Sequence, residues 1–441
     1  LKKFAWLMAW MLTSQVLAQP LPTLTLDQAQ QMAAQQNRQV LSGQSEIERQ
    51  RYTWDSTAAQ RLPQISATAQ HAHLLTPINF NVLRGSLGNF AATGPIPSED
   101  IFISNVRGSQ TQVQLTATQP ISQLYKLDLA LENQELAIDN ARESLRDKQL
   151  SLAVQVQQAY LNIVDLQNAV QAAQDSLDFA RELERVTAEY LKERAVLKAD
   201  LLEVRAKRAE QESQVGSLGR ALKLQKQQLN HLLARDLASD FRAQMPEVSK
   251  SVEATIEQLQ EQAQSGRPDL AQAKLRLRQA ILGTEAERAR YIPDVAIQFA
   301  YTNQTNSGLL PGTLMTVALV ATWDIFDWGE RDGAIGAKSK QAEAAQYQVQ
   351  EATSQAALEV ASRFRQVEDL RGLQEAKKLQ VEAAEERHRV NLSRYQVKAT
   401  LAKDLLDTQA KLTAARRDYQ KWQIDLAQAV AELYQSVGQI P

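Results

Sequence analysis

Thr316-Val-Ala-Leu-Val-Ala-Thr-Trp-Asp-Ile-Phe-Asp-Trp-Gly329 is a short alternating strand that runs into an aromatic belt and then into a long polar helical stretch reaching Tyr395. Val317, Leu319, Ala321 and Trp323 share one face of the strand, because side chains alternate along an extended backbone. A strand that feeds straight into so long a helix is an unusual join, and the chain makes it twice. Val113-Gln-Leu-Thr-Ala-Thr-Gln-Pro-Ile121 lines up with Val317 to Ile325 at an offset of 204 residues, and Asp200-Leu201-Leu202 keeps that offset with Asp404-Leu405-Leu406. A second correspondence, at an offset of 230, links Thr25-Leu-Asp27 with Thr255-Ile-Glu257, and Pro63 with Pro293. The chain reads as a tandem duplication of one unit: helix, strand, loop, strand, long helix, helix.

Composition fits long elements. Only 16 Gly and 12 Pro punctuate 441 residues, so turns are few. Lys and Arg number 49 against 51 Asp and Glu, a balance that leaves no basic footprint for nucleic acid. The start Leu1-Lys-Lys followed by an apolar run to Leu12, too short to span a bilayer, and by Val16-Leu-Ala18 predicts a signal peptide over 1–18; the competing reading is a buried N-terminal helix. Cysteine is absent, which excludes disulfides, thiolate chemistry and acyl attachment through a cysteine after the signal. The repeats are expected at 19–240 and 241–441.

Four strands are predicted, at 62–73, 111–120, 292–303 and 313–323, each pair opened by a proline that ends a helix. After Pro293, Val295, Ile297, Phe299 and Tyr301 alternate with Ala296, Gln298, Ala300 and Thr302. One face suits an apolar medium and the other tolerates water. An isolated strand of this kind would be half-buried in a globular domain, but nothing else apolar in this chain is available to cover four of them. Four strands cannot close a barrel in lipid, where an unpaired edge is excluded, so membrane strands would require several protomers to share one barrel. The stretches Leu74–Gln110 and Asn303–Gly312 are expected as outer loops.

After Ile121, leucine and isoleucine recur at sevenfold spacing (Leu124, Leu131, Ile138, Leu145, Leu152), a coiled-coil pattern on an Ala/Gln/Glu/Lys-rich helix reaching Tyr190. Such a helix is about 105 Å long at 1.5 Å per residue. The helices expected at Leu26–Gln60 and Asp200–Leu233 are each about half as long, so two stacked end to end match one long one.

The duplicated plan, the Pro-to-strand joins, the strand-to-helix handover and the paired turns before Asp200 and Asp404 resemble the TolC family of outer-membrane efflux proteins over essentially the whole mature chain. The resemblance implies a mainly α protein with membrane β: a homotrimer whose twelve-stranded β-barrel, four strands per protomer, continues into a long periplasmic α-helical barrel. It implies an exit duct in the outer membrane of a Gram-negative bacterium, serving a tripartite efflux or type I secretion system with a periplasmic adaptor and an inner-membrane pump. It places a pore constriction at Asp404 and Asp407, with Asp200 and Glu203 as first-repeat counterparts. Carboxylates at the first turn of a helix also have a simpler role, favouring the macrodipole, and both readings stand. Arg194 and Lys398 occupy turn positions where the family usually has glycine. With Ala195, Val196, Ala399, Thr400 and Leu401 they are candidates for adaptor contact. Tyr291, Tyr301, Trp323, Phe326 and Trp328 are candidates for aromatic girdles at the lipid interface, with packing at the barrel-to-helix junction as the alternative for the last three.

No catalytic motif, phosphate loop or metal-ligand spacing is present, and neither cofactor nor enzymatic activity is expected. His71 and His73 share a strand face without a third ligand in view. A secreted coiled-coil or adaptor protein without a pore is the alternative function; the two equivalent strand pairs favour the channel.

Overall fold

The computed structural model describes residues 22–246, 254–305, 311–397 and 399–440. The segment read as a signal peptide, Lys398 and residues 306–310 of the second outer loop lie outside them. In chain order the elements are β1 (Thr23–Leu24), α1 (Leu26–Gln36), α2 (Arg38–Ala59), β2 (Gln64–Val82), β3 (Asn89–Phe90), β4 (Gly94–Pro95), β5 (Ile101–Pro120), α3 (Gln123–Lys192) and α4 (Lys198–Leu232). There follow β6 (Arg242–Ala243), α5 (Ile256–Gly266), α6 (Pro268–Ala289), β7 (Asp294–Gln304), β8 (Thr313–Thr322), α7 (Glu330–Gly372), α8 (Gln374–Gln396) and α9 (Ala402–Ser436).

The elements recur in pairs. α1 and α5 are each 11 residues, α2 and α6 each 22, and α4 and α9 each 35. Thr25 and Thr255 open α1 and α5 with the same capping box, the threonine hydroxyl accepting from the backbone N–H of Gln28 or Gln258 while that glutamine's side chain accepts from the threonine N–H.

The chain divides into two compact units. The first comprises 1–45, 142–272 and 350–441, and among its described residues the regular structure is helical apart from the parallel pair β1–β6. Its two main cores are built from equivalent positions. Ala29, Ala33, Val156, Ile163, Leu229 and Leu233 belong to one, and Leu259, Ala263, Val360, Val367, Leu433 and Val437 stand at the corresponding places in the other. Tyr160, nearly inaccessible in the first core, accepts the N–H of Gln244 at 2.9 Å, and its hydroxyl lies 2.8 Å from the carbonyl of Leu24, locking β1 and β6 onto α3.

Three helices differ from the expectation. The helix expected from Leu26 to Gln60 breaks at Asn37, and its counterpart breaks at Arg267. Arg267 precedes Pro268, whose ring drives the preceding residue out of the helical region (φ −76°, ψ 124°). Asn37 reaches the same extended geometry without proline, its Oδ1 capping α2 through the N–H of Gln39 at 2.8 Å. The long second-repeat helix is interrupted at Leu373, between α7 and α8. There the indole Nε1–H of Trp422 donates to the Leu370 carbonyl at 2.7 Å, occupying an acceptor of the helical ladder.

The second unit, 46–141 and 273–349, holds a four-stranded antiparallel sheet in the order β2-β5-β7-β8. β2 and β8 are its edges, and neither has a second partner among the described residues. β7 and β8 agree with the expected strands to within two residues at each end, but β2 and β5 run on to Val82 and back to Ile101. Most of Leu74–Gln110, read as a loop from its Pro and Gly content, is therefore strand, closed by the small β3–β4 hairpin. The ladder absorbs both residue types: its register shifts between Leu74 and Ile78, around Pro77, and Gly108 adopts φ 79° opposite Leu74.

Candidate functional site

The register assigns every strand side chain to a face. Ile65, Ala117, Phe299 and Val317 lie in one row across the sheet, and Ala67, Leu115, Tyr301 and Met315 in the next on the same side. The opposite side carries Gln64, Thr118, Gln298 and Ala318 in one row and Ser66, Thr116, Ala300 and Thr316 in the next. Ile65, Val317, Leu319 and Phe299 are exposed although apolar. The sheet is thus a two-faced surface, one side aliphatic and aromatic, the other Gln/Thr-rich, and no described residue of the unit covers the exposed apolar side chains named above. His71 and His73 fall on the apolar side, each with Nδ1 next to a hydroxyl across the strand pair, Thr111 Oγ1 at 2.9 Å and Ser109 Oγ at 3.1 Å. No group of metal-ligating side chains occurs among the described residues, and no described helix is long and apolar enough to cross a membrane.

The belt after β8 is shaped by a residue that sequence reading missed. Arg331 is buried; its guanidinium pairs with Asp327, donates to the Asp324 carbonyl, and stacks over the Tyr291 ring at 4.7 Å. Tyr291 in turn donates its hydroxyl to Asp332 at 2.8 Å, so this tyrosine belongs to the clamp beneath the belt. The hydrogen bond from Arg331 holds the Asp327 carboxyl below the usual carboxylate range. Held this way, the chain turns through two left-handed residues, Trp328 (φ 58°) and Gly329 (φ 87°), and Trp328 projects outward, 89% exposed, with its ring 4.7 Å from that of Phe326. Trp323 is exposed as well and continues the apolar face of β8, while Tyr301 lies within that face. The i, i+4 spacing of Asp327 and Arg331 is a sequence signal for their pairing, but spacing offers none for the stacking on Tyr291.

The second candidate region, in the helical unit, is where α3 turns into α4 and α8 into α9. Both turns have the same closure: Ala195 N–H donates to the Tyr190 carbonyl at 2.9 Å, and Ala399 N–H to the Arg394 carbonyl at 2.8 Å. Arg194 takes φ 61°, the left-handed conformation that glycine adopts freely and other residues adopt at about 1 kcal/mol or more. Asp200 Oδ2 accepts the N–H of Leu197 at 2.8 Å, capping α4, whereas Asp404 receives the hydroxyl of Thr400 at 2.9 Å and Asp407 pairs with Lys411 at 2.6 Å. Glu203, Asp404 and Asp407 are exposed, as are Arg194, Ala195, Ala399 and Leu401; Val196 and Thr400 are half-buried. Leu197 is exposed at 72%, more than its counterpart Leu401 at 60%; the 204-residue offset that relates the two turns would have found it.

Beneath these turns Leu183, Val204, Tyr395, Ala402 and Leu405 form a small core. Thr187, fully buried, donates to the Leu183 carbonyl at 2.7 Å and meets the Tyr395 hydroxyl at 3.1 Å, joining α8 to α3. Tyr395→Phe removes one buried hydrogen bond worth about 1 kcal/mol, so amide exchange in the last turn of α8 should quicken about fivefold. Unchanged exchange would mean that the bond contributes nothing to holding the turn.

Residues 259–439 match the family model described as outer membrane efflux protein. The open-state MtrE outer membrane channel of Neisseria gonorrhoeae superposes with a TM-score of 0.74 at 19% identity, covering 94% of this chain and 89% of that one. This is the fold of the outer-membrane efflux channels. The likeness holds for the CmeC outer membrane channel of Campylobacter jejuni (TM-score 0.77, 15% identity, 94% and 85% covered) and for the outer membrane protein VceC of Vibrio cholerae (TM-score 0.75, 16% identity, 94% and 96% covered). No curated protein matches the chain by sequence. The efflux-channel fold thus spans nearly the entire chain at identities where only architecture is retained, and the family's sequence pattern is recognisable in the second repeat.

Proposed function

We propose that this protein is an outer-membrane exit duct, passively conducting substrates that an inner-membrane pump delivers through a periplasmic adaptor. The observation that carries the reading is the β2-β5-β7-β8 sheet, apolar on one face, polar on the other, and unpaired at both edges among the described residues. In lipid such edges must be paired, and three copies of four strands close a twelve-stranded barrel with the Gln/Thr face lining water. Trp323 and Trp328, exposed beside the apolar face, suit the headgroup level at one rim, and Tyr301 the other. At the helical turns, Leu197 and Leu401 are apolar side chains facing water, a surface suited to adaptor contact.

Three copies of Asp404 and Asp407 converging on one axis would form a cation-attracting constriction. Asp407 brings Lys411 with it, which weakens that field, so Asp404 is assigned the larger share. Planar-bilayer recording of detergent-purified protein tests both levels. Discrete cation-selective openings are expected, with selectivity lowered in Asp404→Asn and less so in Asp407→Asn. Openings indifferent to both substitutions would remove the constriction but keep the duct. A protein that needs no detergent and conducts nothing would instead be a coiled-coil component without a pore.

A further inference from the structure

Resting on the trimeric reading, we infer that β8 of one protomer pairs antiparallel with β2 of the next copy in a single register: Ala321 opposite Ala69, Val320 opposite Gln70, Leu319 opposite His71. The warrant is the duplication. Inside one chain the seam between repeats is the β5–β7 ladder, where Ala117 faces Phe299, Thr116 faces Ala300 and Leu115 faces Tyr301. The residues of β5 recur 204 positions later in β8, and those of β7 stand 230 positions earlier in β2. A ring built from six such repeats has the same seam between protomers as within them, so each observed pair dictates a pair across the subunit boundary.

Three features of the chain agree with that register. Transposing the pairs keeps the faces in phase: Val317, Leu319 and Ala321, on the apolar side, meet His73, His71 and Ala69, which share the apolar side of β2. A slip of one residue would carry Gln70 into the apolar face. Second, the outermost transposable pair, Gln112 with Gln304, sets Thr316 opposite Leu74, and Leu74 is the last residue of β2 before its own register shift.

Third, the junction within the chain shows what lies below the ladder. The N–H of Ile121 donates to the Val295 carbonyl at 2.9 Å, and Ser122 Oγ donates to the Pro293 carbonyl at 2.6 Å while accepting the Val295 N–H at 2.7 Å. The transposed contact seats Ile325 and Phe326 on Pro63 and Ile65 of the neighbouring copy, with the Ile325 N–H donating to the Ile65 carbonyl. Within a single chain these are among the most exposed large apolar side chains: Ile325 at 77%, Phe326 at 71% and Ile65 at 79%. The register gives each of them cover, and it assigns Phe326 to the subunit seam rather than to the lipid girdle.

The natural chain has no cysteine, so introduced pairs report without background. Directly opposed residues have Cα atoms about 4.5–5.5 Å apart, within disulfide reach, whereas partners two residues out of register stand at about 7–8 Å. The double variants Ala69→Cys/Ala321→Cys and Gln70→Cys/Val320→Cys sample the two kinds of opposed pair. Mild oxidation of the full-length protein in detergent is expected to shift the band on non-reducing gels from monomer to a covalently closed trimer for at least one of them. Ala67→Cys/Ala321→Cys and His71→Cys/Ala321→Cys are expected to stay monomeric on the same gels. Stronger linking in either off-register pair, or linking in none of the four while light scattering of the reduced protein reports a trimer, overturns the register. A monomer by light scattering removes the trimeric reading itself and the register with it.

Discussion

Arginine at Val317 is expected to abolish assembly in the outer membrane, whereas arginine at the adjacent Ala318 is expected to leave trimers intact. Val317 lies midway along β8, in the row that runs through Phe299, Ala117 and Ile65, and Ala318 lies in the row of Gln298, Thr118 and Gln64. On the proposed lipid face near the bilayer midplane an arginine would cost about 2–4 kcal/mol, and the proposed threefold symmetry would repeat the cost in every protomer, for about 6–12 kcal/mol in all. On the water-lined face the same side chain keeps its hydration. Gel migration of unheated outer-membrane fractions separates the two outcomes. Loss at Ala318 with retention at Val317 would reverse the faces, and equal tolerance of both would take the sheet out of the membrane altogether. The comparison uses adjacent residues of one strand, so differences in β propensity or depth are too small to imitate the result.

Gly438→Val is expected to be the most destabilising single substitution in the helical unit, by about 3 kcal/mol or more. Gly438 adopts φ 79°, and a Cβ there would lie 2.3 Å from the Gly266 carbonyl oxygen, 2.5 Å from its carbon and 2.9 Å from the Arg267 nitrogen. All three are backbone atoms at the α5–α6 break and cannot swing aside. Gly266 reciprocates, since its own Cβ would come within 2.6 Å of the Val437 carbonyl oxygen. Arg267 secures this crossing: its guanidinium holds Asp269 at 2.8 Å and Glu359 at 2.7 Å and donates to the Ser436 carbonyl at 3.0 Å. Thermal unfolding followed by circular dichroism should show the loss, and an unchanged midpoint would mean that the two backbones do not approach this closely.

The first repeat supplies the internal control. Ala234 stands where Gly438 does and already carries a side chain at φ 54°. Asn37 stands where Arg267 does and donates to the Leu232 carbonyl at 2.8 Å, the counterpart of the bond to Ser436. The first crossing is therefore open enough for a methyl group. Ala234→Gly, which relieves a left-handed non-glycine residue, should raise the midpoint slightly, by about 1 kcal/mol of stability at most. One position thus tolerates gain or loss of a methyl group and its duplicate does not, although both end helices of equal length.

Much of this architecture was legible because it is written in periods and offsets. Alternation over Val295–Tyr301 and Val317–Trp323 gave the strands and their apolar face, sevenfold leucines gave the long helix, and the two constant offsets gave the duplication, including the matched helix starts at Thr25 and Thr255, whose capping boxes the structure then showed. These signals are local: a side chain's face follows from its own position along a strand or helix, whatever the chain does elsewhere. Tertiary structure decided what depends on partners far away in sequence. Pro77 and Gly108 read as loop residues until the opposing strand shows a ladder that bulges around them. The interruption at Leu373 coincides with an indole that bonds the Leu370 carbonyl from 52 residues further on, and the aromatic belt is shaped by an arginine whose partners include a carbonyl at Arg290. The sequence by itself determined the repeat, the strand faces and the long helix after Ile121, because periodic patterns carry that information. Only the folded chain decided where those elements break, which crossings admit no side chain and which carboxylates are already engaged, because such contacts depend on distances between segments that no spacing along the chain records.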